Sequence, residues 1–223
     1  MFFSPLGLLF FVFLIFLSIF LFIFIHIGLI TIAFERLGLS EFQAFSFLII
    51  SLLGSNINIP VKKIKIEGPE PFPSSIRFFG MIYRVPQKQT GDMIIAINVG
   101  GAIVPLILSL YLMLKWGMFF EPLLATLLVG VITYFFARPV AGVGIAMPIF
   151  IPPIIAAAIA LFYGTGPHAP AVAYIGATMG TLLGADIFHL KDLKKIYAPV
   201  ASIGGAGTFD GIFLAGVIAV ILS

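Results

Sequence analysis

Residues 169–189 read APAVAYIGATMGTLLGADIFH, an apolar run whose one formal charge is Asp186. About 20 such residues are what a helix needs to cross a hydrocarbon layer, so the run predicts a spanning helix. Gly176, Gly180 and Gly184 recur at every fourth position, a stripe on which another helix backbone can approach closely. At 100° per residue Asp186 falls well away from that stripe, so this helix is expected to be packed on both sides and to sit centrally.

Outward from it, 4–34, 94–114, 117–136, 139–163 and 196–222 meet the same length test. The segment 40–54, which Ser40 is placed to cap, is shorter and suits either a short span or a re-entrant helix. The expected fold class is all-α, a polytopic transmembrane bundle of six or seven spans forming a single integral membrane domain over 1–223. Composition agrees: with 61% hydrophobic and 9% charged residues and a mean hydropathy of +1.21, too little polar surface exists to cover a water-soluble globule. Residues 1–34 carry no Lys or Arg and no small-residue cleavage pattern, and read as a retained helix rather than a secretory signal. The absence of cysteine removes disulfides, thiol nucleophiles and thiolate metal sites from consideration.

The basic residues flank the apolar segments, where they set orientation, so the net charge of +3 is no nucleic-acid signal. Lys62, Lys63, Lys65, Arg77, Arg84 and Lys88 fall between 57 and 93; alternation puts Arg138, Lys191, Lys194 and Lys195 on the same side and leaves Arg36 and Lys115 on the other. With basic loops inside, the N-terminus is cytoplasmic and the C-terminus outside. Within the 57–93 loop, Ile57, Ile59 and Val61 alternate and Ile64 and Ile66 sit between lysines, which is strand periodicity; after the turn-rich 68–73 a second apolar run covers 78–85. A small β-hairpin at the membrane surface is expected there. Pro139-Val140-Ala141-Gly142-Val143-Gly144 also echoes Pro199-Val200-Ala201-Ser202-Ile203-Gly204, a faint repeat that opens two helices after basic residues.

Of nine acidic residues, Asp186 and Asp210 alone lie inside apolar spans. A charge at mid-bilayer costs about 3 kcal/mol or more, so such residues face a bundle interior or a watery cavity and usually carry function. Gly207, Gly211 and Ala215 form a second small-residue stripe beside Asp210. The layout of Ala185-Asp186 followed by Gly205-Ala206-Gly207-Thr208-Phe209-Asp210 resembles that of presenilin and signal-peptide-peptidase type intramembrane aspartyl proteases, with Ala185 standing where those proteins have tyrosine. Gly54-Ser55-Asn56-Ile57-Asn58-Ile59-Pro60, together with Gly204-Gly205-Ala206-Gly207-Thr208-Phe209-Asp210-Gly211, resembles a prokaryotic membrane family known as domain of unknown function 1614, over most of the chain. The resemblance implies a prokaryotic cell membrane and no particular activity.

The protease resemblance implies Asp186 and Asp210 as a catalytic dyad cleaving a membrane-embedded peptide. Two close carboxylates do not both ionise easily, so one stays protonated as acid while the other activates water. As straight helices the two would sit at different depths, about 8 Å from Lys191 and about 22 Å beyond Lys195. They meet only if 202–207 is unwound, which its glycines permit. Asn58, Asn98, Gly205 and Gly207 are the substrate-binding candidates, and the strand-like 57–66 is suited to pair with an unwound substrate. The alternative is a transporter or channel for a small solute or ion: Pro148, Pro152 and Pro153 are expected to break the helix over 139–163, and Asp186, Asp210 and Asn98 would form a proton or cation relay. His189, three residues after Asp186, has a possible metal-ligand spacing, but one His and two Asp are a weak set, and neither metal nor cofactor is expected. Membrane lipids and a membrane-embedded substrate are the partners implied; the sequence leaves the oligomeric state open.

Overall fold

The fold is that of a computed structural model, which describes residues 16, 28–66, 75–78, 81–84, 91–140, 144–164, 166–196, 198–205 and 211–223. Helix dominates among them: α1 (Gly28–Arg36), α2 (Glu41–Gly54), α3 (Val104–Trp116), α4 (Phe120–Phe136), α5 (Ile151–Tyr163), α6 (Ala169–Thr181) and α7 (Gly211–Leu222). Two π-helical turns extend this set, Val99–Ile103 leading into α3 and Leu182–Ile187 continuing α6. The strands are β1 (Asn58–Ile66), β2 (Ser75–Phe78), β3 (Met81–Arg84), β4 (Gly91–Asn98), β5 (Arg138–Val140), β6 (Gly144–Ala146) and β7 (Val200–Ile203).

Local chemistry sets the helix ends. Ser40 caps α2 as expected, in a reciprocal box where its Oγ accepts the Gln43 N–H and Gln43 Oε1 accepts the Ser40 N–H. Gly117, left-handed at φ 62°, closes α3. Pro105, Pro152, Pro153 and Pro170 occupy first turns of α3, α5 and α6, where the missing N–H has no intrahelical partner to lose. This corrects the reading of 139–163 as one helix broken at its prolines: 138–146 is a β5–β6 hairpin, and Pro152 and Pro153 open a helix rather than interrupt one.

The helices run between two ends of the molecule. At one end Gly38 packs on Trp116, Lys115 Nζ donates to the Gly38 carbonyl, and Trp116 stacks on His168 at 4.7 Å. There too Arg36 Nη1 donates to the carbonyls of Val220 and Ile221 in the last turn of α7, where Ser223 Oγ also donates to Val220. At the other end Gly54 packs on Gly100, and the sheet begins. Helix α2 therefore runs beside α3 between these two ends, and α1 and α2 meet at a bend of 115°. Residues Ala169 to Thr178 of α6 are all buried, and α6 touches α3, α4, α5 and α7, the central position its glycine stripe foretold.

A small sheet caps the second end, so the fold is mostly but not wholly α-helical. β1 and β4 are antiparallel, from Asn58 opposite Asn98 to Ile66 opposite Gly91, with a bulge between Pro60 and Lys62. β7 adds to β4 in parallel, Ile94 opposite Val200 and Ile97 opposite Ile203. The expected hairpin is thus present in altered form: β1 pairs with β4, while the apolar run at 78–85 contributes β3, which pairs with β2. Strand also replaces helix at the start of 94–114 and 196–222. Among the described residues Val99–Trp116 is the one helix long and apolar enough by itself to cross a membrane; α4, α5 and α7 are apolar but shorter.

Candidate functional site

Asp186 sits in the π-helical turn that follows α6, half-buried. π turns insert one residue into the helical ladder and recur at functional sites. Its Oδ2 accepts the backbone N–H of Gly204 at 2.7 Å. Gly204 reaches it because the chain is not helical there: β7 ends at Ile203, and Gly204 and Gly205 follow with φ of 85° and 93°. A Cβ on Gly204 would lie 2.6 Å from both the Ala102 backbone nitrogen and its Cβ, so the close approach admits no side chain. The unwinding on which a meeting of the two aspartates depends is therefore present over 200–205, and the described part of α7 runs from Gly211.

Asp210 and Gly207 lie outside the described residues. The elements on either side of them are fixed by packing. Ile212 clusters with Leu182, Ala102, Ile97 and Ile203, and Gly216 packs on Thr178 and Tyr174. Helices α6 and α7 accordingly run antiparallel, with the start of α7 beside the start of the turn that carries Asp186.

Asn58, Asn98 and Ser202 tie the three strands together beside this turn. Asn98, fully buried, donates to the Ser55 carbonyl at 2.7 Å and to Asn58 Oδ1 at 3.1 Å, and its own oxygen accepts the Gly101 N–H at 2.8 Å. Ser202 Oγ donates to the same Asn58 Oδ1 at 2.5 Å. Asn98 thus holds the β4-to-α3 corner, whereas Asn58 is exposed and Gly205 half-buried. Ser202 and Gly204 are the site residues that sequence reasoning did not single out; the Gly204-Gly205 pair was their only signal.

His189 is buried, and its Nδ1–H donates to the Gly184 carbonyl at 3.0 Å, since a carbonyl can only accept. Its ring lies 4.7 Å from that of Tyr134 on α4. Among the described residues no three His, Asp or Glu side chains come together as a metal-binding group. Chemically, the arrangement offers a carboxylate at a helix irregularity, held by a backbone donor from a strand that leads to a second aspartate.

A family model described as Protein of unknown function (DUF1614) matches residues 52–222. No curated protein and no solved structure matches the chain. The family resemblance read from the motifs is borne out, and the looser likeness to presenilin-type proteases gains no support from these comparisons.

Proposed function

The chain belongs to the DUF1614 family, and we propose that it is an integral membrane hydrolase in which Asp186 and Asp210 form an aspartyl dyad that cleaves a membrane-embedded peptide. The observation that carries this reading is the 2.7 Å bond from the Gly204 N–H to Asp186. It supports the reading because a straight helix over 196–222 would separate the two aspartates in depth, whereas here the chain six residues before Asp210 lies at the level of Asp186. Ile212, two residues after Asp210 in the chain, clusters with Leu182 at the start of the turn that carries Asp186. One carboxylate then takes a proton from water as its oxygen attacks the peptide carbonyl carbon, while the other donates its proton to the carbonyl oxygen; the return of a proton to the amide nitrogen breaks the C–N bond.

Membrane embedding in six or seven passes is part of the proposal. Val99–Trp116 has 18 residues and α4 has 17, lengths of ~27 and ~25 Å, near the ~30 Å of a hydrocarbon core. On α4 the outward stripe is Phe120, Leu123, Leu127, Val131 and Phe135, each at least 45% exposed, a surface that suits lipid and not water. The transporter reading drew in part on a helix broken by Pro148, Pro152 and Pro153, of which Pro152 and Pro153 lie in the first turn of α5.

The chain's lack of cysteine makes the test direct. An Asp186→Cys/Asp210→Cys pair should join through a short bismaleimide, and Asp186→Asn or Asp210→Asn should each lower cleavage of tagged single-span peptides at least ~100-fold without loss of helical signal. Cleavage that persists in either asparagine variant, or cysteines that never join, would sink the dyad. Ion-coupled uptake into proteoliposomes, lost in Asp186→Asn and unaccompanied by cleavage, would establish the transporter instead.

A further inference from the structure

The sheet end carries a cap with its own small core. Met93, Leu193, Ile196 and Ala201 are buried together, with Ile64, Ile95 and Ile145 packed on them, so the sheet, the 3-10 turn Leu190–Lys195 and the β5–β6 hairpin form one body. Its rim bears Lys62, Lys63, Lys65, Arg138, Lys191 and Lys194, all exposed; among the described residues the only acids there are Asp92 and Asp192. The opposite end differs: Glu35, Glu41 and Glu121 lie there, and its two cations, Arg36 and Lys115, are engaged with backbone carbonyls.

Ile64 of β1 faces the cap's core, while the exposed side chains from Ile57 to Lys65 change character along the strand's length. Ile57, Ile59 and Val61 are 54%, 45% and 61% exposed at the end next to the helices, and Lys62, Lys63 and Lys65 follow at the end away from them. The bulge between Pro60 and Lys62 falls at this boundary. A strand that is apolar for half its length and cationic for the other half matches the border between acyl chains and phosphates. A nucleic acid or acidic protein would account for the lysines but not for three exposed aliphatic side chains leading into them.

We propose that the basic rim of the cap is a docking surface for anionic phospholipid headgroups, with 57–61 immersed in the acyl region and Lys62, Lys63 and Lys65 at the level of the phosphates. The inference rests on the membrane embedding proposed above and is independent of the dyad. Attraction of this kind is screened within about 10 Å at 0.1 M salt and falls as salt rises.

The test uses the whole protein in phosphatidylcholine vesicles with trace spin-labelled phosphatidylglycerol or spin-labelled phosphatidylcholine. The protein should immobilise the anionic probe about fivefold or more in preference to the neutral one, the equilibrium equivalent of one lysine near an anionic surface. The preference should collapse towards unity at 1 M salt and in K62Q/K63Q/K65Q, and should survive an excess of soluble glycerol phosphate. A spin label at Val61→Cys should be reached by oxygen more readily than by a polar nickel chelate, with the reverse at Lys65→Cys. Equal immobilisation of both probes, a preference untouched by the triple variant, or displacement by glycerol phosphate would overturn the proposal. Carbonate extraction separates the two levels: protein stripped from the vesicles defeats the membrane reading, whereas protein that stays inserted without lipid preference defeats this inference alone.

Discussion

The helical bundle and the sheet cap differ most in what their surfaces expose. In the bundle Ala125, Ala156, Ala173, Ala177, Ala215 and Ala219 fill the contacts among α4 to α7, Phe34, Leu37, Leu108, Leu112, Tyr174 and Phe213 fill a second core, and large apolar side chains also cover the outside. In the cap the larger side chains Met93, Leu193 and Ile196 are inside and lysines are outside. Water rewards burial of large apolar groups, as in the cap. Lipid tails do not distinguish an exposed leucine from a buried one, so helices there gain by bringing backbones close together. With the membrane embedding proposed above, the change of solvent falls near the Gly54–Gly100 contact, where the two regions join.

The strongest way to break this comparison is to thicken the bundle's interior. A Cβ on Gly184 would lie 2.2 Å from the Gly130 carbonyl oxygen and 3.0 Å from its carbon, atoms of the α4 backbone that cannot swing aside. Gly184→Ala should therefore cost ~3 kcal/mol or more, at the upper end of overpacking penalties, and show as a large fall in the denaturation midpoint of the detergent-solubilised protein. The same backbone also carries the π turn of Asp186, so cleavage should fall with stability. A midpoint within experimental scatter of the parent would mean that α4 and α6 do not owe their contact to close approach.

Next in size is the joint between the regions. Asn98→Ala would strip partners from the Ser55 carbonyl and the Gly101 N–H, both held by its side chain in a buried corner. Each unsatisfied group costs about 1–3 kcal/mol, so a loss of ~2–3 kcal/mol is expected after partial relaxation. Hydrogen exchange should report where: amides of β1 and β4 should lose protection while those of α4 and α6 keep theirs. Equal loss in both regions would show that cap and bundle open as one cooperative unit and would blunt the comparison.

The bundle was more legible in the sequence than the cap. Apolar runs located the helices, and the fourfold glycine spacing placed α6 at the centre, because those signals are local. Ile94-Ile95-Ala96-Ile97 and Val200-Ala201-Ser202-Ile203 looked like the continuation of helices, since a short apolar run has no periodicity to separate strand from buried helix. Their pairing joins segments about a hundred residues apart, which no window along the chain detects. Pro152 and Pro153 misled for a related reason: proline breaks an interior turn but suits a first turn, and the difference depends on where the helix begins. Of the geometry around Asp186, the departure from helix over 202–205 was readable from glycine. The Gly204 donor was not, because its role comes from the parallel β4–β7 pairing that sets the strand's depth.

The smallest expected effect tests whether hydrogen bonds between helices matter to the bundle as they do at the joint. Ser109 on α3 and Thr178 on α6 are both buried, with their hydroxyl oxygens 3.3 Å apart. Thr178 Oγ1 already donates to the Tyr174 carbonyl at 2.8 Å, so Ser109 supplies the proton between them. In Ser109→Ala the threonine keeps its donor bond, no group is stranded, and only one oxygen's volume is lost. Interhelical bonds of this kind average about 0.6 kcal/mol, and the coupling in a Ser109→Ala, Thr178→Ala double-mutant cycle should fall near that figure. A coupling above about 2 kcal/mol would put a polar contact on the scale of the Asn98 joint. The bundle would then be held by specific bonds as much as by close approach, and the alanine and glycine contacts among α4 to α7 would no longer suffice to explain its packing.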